Sequence, residues 1–83
     1  MLEIVTNAIN AWDPLELFPY APKDEYSLEI KELVEFLENA QNYSVDRLGN
    51  KIYELFLRTL GSDVFNRSIE DCILVAREIL KVL

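Results

Sequence analysis

Residues 44–61, SVDRLGNKIYELFLRTLG, carry the clearest structural instruction in the chain. Val45, Leu48, Ile52, Leu55, Phe56 and Thr59 recur every three or four positions, the spacing that gathers side chains on one face of an α-helix. Ser44 stands where a hydroxyl can accept from the unpaired N–H groups of a first turn. Gly61 stands where a helix-ending, left-handed residue is expected. The pattern predicts a helix from Val45 to about Leu60 whose apolar face needs partners.

Those partners lie on both sides. Toward the C-terminus, the loop Ser62–Arg67 carries Val64 and Phe65, which are expected to plug a bundle end. Ser68 caps the next helix, with Asp71 three residues later in a weak form of the capping box. From Ile69 to about Val82 the stripe is Cys72, Ile73, Ala76, Ile79, Leu80 and Leu83, widened by Val75 and Val82. An apolar arc this broad predicts more than one neighbour, so this helix is the expected central element. Toward the N-terminus, Gln41–Tyr43 is a short polar turn. Before it, a helix from about Asp24 to Asn39 has the stripe Tyr26, Ile30, Leu33, Val34, Leu37 and Ala40. Glu25, Glu29, Glu32, Glu35 and Glu38 are placed on its outer face, and Leu28 and Phe36 fall off the stripe.

Pro19, Tyr20, Ala21 and Pro22 form a stiff extended connection, since proline fixes φ and lacks a donor. The first helix, Leu2 to Trp12, points Leu2, Val5, Ile9 and Trp12 inward and Glu3, Thr6, Asn7 and Asn10 outward. It must end by Asp13, because a residue before proline is pushed out of the α region. Asp13 reads as the N-cap of a short helical turn over Pro14–Phe18, with Glu16 three residues after the cap. The expected fold is all-α: a compact bundle of four main helices with a short extra helical turn after the first. No strand-like alternation and no repeat interrupts it, so residues 1–83 read as one domain.

Composition limits the chemistry. The chain of 83 residues contains no histidine, one cysteine and two glycines. Without histidine there is no ordinary Ser-His or Cys-His pair, and a zinc site has too few ligands. Cys72 lies on an apolar stripe, where a thiol behaves as a small hydrophobe. Gly49 and Gly61 are isolated, so no phosphate-cradling loop exists. A carboxylate-bridged di-metal centre needs inward-facing Glu and His, but the inward positions here are aliphatic or aromatic. No enzymatic activity, cofactor or metal is expected. The net charge of −7 disfavours nucleic acid and anionic membrane and permits a basic protein partner. The stretch MLEIVTNAINAWDP has neither a basic n-region nor a long apolar run, so it reads as neither signal peptide nor membrane span. With no disulfide to form, a cytoplasmic address is expected.

One region has a concentration of unusual residues: Trp12, Asp13 and Pro14, then Tyr20, Pro22, Asp24, Glu25 and Tyr26. Rigid loops that present aromatics with polar tips resemble interface hot spots. The same residues would also serve to cover a bundle end, with Asp13 and Asp24 capping helices. Arg58 and Arg67 are candidate partners for these acids.

The runs WDP at 12–14, PYAPKDEY at 19–26 and DVF at 63–65, with Ser68, Cys72, Ala76 and Ile79, resemble the YugE-like proteins, small helical proteins of Bacillus and related Firmicutes. The resemblance extends over nearly the whole chain. It implies a compact helical fold and a bacterial cytoplasmic origin, and it implies no activity. The expected function is a non-enzymatic protein-interaction or accessory module. The alternative is a small-ligand or cation-binding domain using Asp13, Glu16, Asp24 and Glu25 near Trp12 and Tyr20. A homo-oligomer packed through Leu28, Phe36, Leu57 and Leu74 is a third possibility.

Overall fold

Among the described residues, four helices make up the regular backbone: α1 (Leu2–Trp12), α2 (Ser27–Asn39), α3 (Val45–Leu60) and α4 (Ile69–Val82). They come from a computed structural model that describes residues 1–16, 25–40 and 44–83. No strand occurs among the described residues, and the all-α fold is as expected. The radius of gyration is 11.8 Å, which is what a close-packed chain of this length should have, about 12 Å.

The serine caps form as their spacing dictates. Ser44 Oγ accepts from the Arg47 N–H at 3.2 Å and Ser68 Oγ from the Asp71 N–H at 3.2 Å. Each hydroxyl satisfies a donor that the helix itself leaves unpaired. Gly61 ends α3 with φ 85° and ψ 155°, a positive φ that a side chain would oppose. Its carbonyl then accepts from the Val64 and Phe65 N–H groups. This folds the loop back, burying Phe65 but leaving Val64 52% exposed. Only one of the two expected plugs is a plug.

The helices pack as a ring. The α3–α4 interface is the most extensive, α1 packs on α2 and α4, and α2 packs on α3. Every helix therefore has two neighbours, and α4 is not the central element its broad stripe suggested. The extra width is used differently: Val75 is buried, while Val82 and Leu83 face water at the helix end. Close approach of α3 to α4 depends on Gly49. A Cβ built there would lie 2.6 Å from Ile73 Cγ1 and 3.0 Å from Ile73 Cα.

Other corrections follow from geometry. Helix α2 begins at Ser27 rather than near Asp24, with Tyr26 at its N-cap; Asp24 itself lies outside the described residues, as do 41–43. Glu29, placed on the outer face, is only 5% exposed. At 100° per residue it falls between Phe36 and Leu33, and Phe36 is half-buried against the core. The apolar arc is thus wider than the stripe, and Glu29 sits inside it. Leu2 and Thr59 were expected inside but are exposed, because each occupies the terminal turn of its helix.

Candidate functional site

Of the singled-out aromatic residues that the structure describes, Tyr26 enters the core and Trp12 packs against it. Tyr26 is 1% exposed, Pro14 is buried, and Trp12 and Asp13 are half-buried. Phe56 of α3 is the hub: Trp12 meets its ring edge-on at 5.6 Å, Tyr26 at 6.1 Å, and Phe65 stacks on it at 5.6 Å. One side chain thereby gathers the end of α1, the start of α2 and the α3–α4 loop. Edge-to-face and offset-stacked rings at these separations add to the burial they already provide.

A hydrogen-bond lock surrounds this cluster. The Tyr26 hydroxyl donates to Asp13 Oδ1 at 2.6 Å and accepts from the Leu15 N–H at 3.2 Å. Arg67 Nε donates to the Pro14 carbonyl at 3.0 Å. Burial pushes the Tyr26 phenol well above its ordinary range, and the neighbouring Asp13 carboxylate reinforces the shift. Asp13 is not the extended N-cap that its place before proline suggested. Its φ of 45° and ψ of 67° are left-handed, and its N–H closes α1 by donating to the Ile9 carbonyl. The Asp13 carbonyl accepts from the Glu16 N–H at 2.9 Å, so residues 13–16 form one tight turn; the remainder of the expected helical turn, 17–18, lies outside the described residues. Glu16 also has positive φ, 55°, a conformation uncommon for a residue with a Cβ.

Of the eight residues singled out, Tyr26 and Pro14 are therefore enclosed, Trp12 and Asp13 are partly covered, and Glu25 is exposed. Tyr20, Pro22 and Asp24 lie outside the described residues. Among the described residues, Arg58 makes no hydrogen bond or ion pair with this region; it pairs with Glu32 of α2 at 2.6 Å. Arg67 does reach it, but binds a backbone carbonyl rather than an acid. Among the described residues, no three acid or thiol groups converge as metal ligands. Cys72 is fully buried, and burial with Asp71 nearby pushes its thiol up to about 12, far from a reactive thiolate.

Concave surfaces of about 470 and 490 Å³ lie between α2 and α3 and beside Pro14, Glu16 and Arg67, and two others, more apolar, lie on the flanks of α1. A groove of about 640 Å³ runs between α1 and α2, with Leu2, Ile30 and Val34 among its apolar lining and Lys31, Glu35 and Glu38 among its polar residues. A second, of about 480 Å³, runs between α1 and α4 and is lined by Ile4, Ala8, Ala11, Val75 and Val82, with Glu78 beside them. Sequence periodicity had counted several of these residues as core. The available signal was the size of the α1 side chains: Thr6, Ala8 and Ala11 are too short to fill the space beside their neighbours.

No helix among the described residues is long and apolar enough to cross a membrane. Compared with family models, curated proteins and solved structures, the chain matches none.

Proposed function

We propose that the chain is a non-enzymatic protein-interaction module, an accessory or regulatory protein of the bacterial cytoplasm, and that its working face is the flank of α1. The observation that carries this reading is the α1–α2 groove, where Leu2 is 59% exposed and Val34 half-exposed beside the buried Ile30. Monomeric domains seldom leave apolar concavities of this kind without a use. The bacterial origin rests on the resemblance of WDP and PYAPKDEY to the YugE-like proteins.

The working face is then α1 rather than the 12–26 region. The Trp12–Tyr26 side of that region is occupied in holding the fold together, which leaves less of it to meet a partner. Affinity capture from a Bacillus-type lysate tests this, with Val34→Glu as the groove variant and Leu74→Glu, on an exposed face of α4, as the control. A partner retained by the wild type and by Leu74→Glu but lost by Val34→Glu is the expected result. Equal retention by all three, or none at moderate salt, would remove the support.

A further inference from the structure

We infer that the α1–α2 groove receives a basic amphipathic helix of another protein. The inference rests on the interaction reading above and names the occupant. Ile30, Val34 and Glu38 lie four residues apart along α2 and so form one ridge beside the groove. The channel between such a ridge and α1 accepts the side-chain row of a third helix by the same rule that packs the bundle itself.

Charge selects the kind of helix. Glu38 lies in the last turn of α2 and Glu35 just before it, and that turn contains no basic residue. Both carboxylates thus stand at the negative end of the helix dipole, an arrangement that works against α2. Helix α1 contains no lysine or arginine, and Lys31, the cation among the lining residues, lies one and two turns from Glu35 and Glu38, toward the start of α2. A cationic side chain seated over this end of the groove would relieve the repulsion, and apolar residues on the same helix would cover Leu2 and Val34. A second copy is the poorer occupant. Its α4 offers Leu74 with Arg77 and Lys81 at helical spacing, but each copy brings a net charge of −7.

The test uses the full chain, isotope-labelled for amide NMR, and two synthetic amphipathic helices with the same leucine face, one bearing lysines and one glutamates. The lysine peptide should shift the amides of Leu2, Thr6, Ile30, Val34, Glu35 and Glu38, bind more weakly as salt rises, and lose about tenfold in affinity with Glu35→Lys/Glu38→Lys. That double variant should melt no lower than the wild type, because it corrects the charge at the α2 terminus. Loss of binding is then not loss of fold. Equal binding of both peptides would overturn the inference, as would concentration-dependent dimerisation of the chain alone through these residues. Shifts confined to the α1–α4 groove would overturn it while leaving the interaction reading standing. No shifts from either peptide, together with no groove-dependent partner in the capture experiment, would remove both.

Discussion

At Tyr26 one side chain joins three segments: its hydroxyl donates to Asp13 and accepts from Leu15 in the turn after α1, while its ring, at the start of α2, packs on Phe56 of α3. Tyr26→Phe keeps the ring and removes the lock, so urea denaturation should register a loss of about 1–2 kcal/mol. A separate consequence concerns pH. The folded state holds both the Tyr26 phenol and the Cys72 thiol protonated above their ordinary values of 10.0 and 9.0. In that range the unfolded chain binds fewer protons than the folded one, so stability is full below about pH 9 and falls as pH rises, by up to about 1.4 kcal/mol per pH unit for each group. The decline should begin near pH 9 with Cys72 and steepen near pH 10 with Tyr26. Thermal melts from pH 8 to 11 check it: Tyr26→Phe should flatten the upper part and Cys72→Ala the lower. A wild-type melting temperature that stays level across this range would contradict the assignment. The burial of Cys72 was legible from its stripe. The Tyr26–Asp13 bond was not, because nothing in the spacing of residues 13 and 26 specifies that their side chains meet.

Among the elements, the α3–α4 pair makes the most pointed statement. Gly49 looks like a weak point in α3, since glycine in a helix interior costs about 1 kcal/mol relative to alanine. A Cβ there, however, meets the Ile73 side chain at 2.6 Å and its backbone Cα at 3.0 Å. The side chain can turn aside; the backbone can move only if α4 moves. Gly49→Ala should therefore destabilise by about 1–3 kcal/mol in spite of its better helix propensity, measured by chemical denaturation. A gain would mean that the two helices are free to separate. The element α2 has a different lesson. Five glutamates at similar spacing looked like one solvated face, yet Glu29 is inside, because Phe36 belongs to the apolar arc. Phe36 is held there partly by cations, with Arg47 and Lys51 each 5.8 Å from its ring centre.

For the whole molecule, the ring of four helices is tied at one end by the cluster around Phe56. Phe56→Ala would remove the ring that Trp12, Tyr26 and Phe65 all touch. The expected cost of about 3–5 kcal/mol is a large share of the stability available to a domain of this size, about 5–15 kcal/mol at most. Circular dichroism should then show a broadened transition at much lower temperature, whereas Leu74→Ala on the exposed face should change it little. The opposite outcome would place the organising contacts elsewhere.

The helices, their serine caps, the positive-φ Gly61 and the enclosed thiol were determined by the sequence alone. Each depends on residues within a turn or two of one another, and local spacing specifies local geometry. The tertiary structure decided which faces meet. It made α4 one member of a ring, brought Gly49 against Ile73, joined Tyr26 to Asp13, and left the flanks of α1 open. These outcomes depend on pairs far apart in the chain, where shape and volume choose the partner and periodicity reports only that a partner is needed.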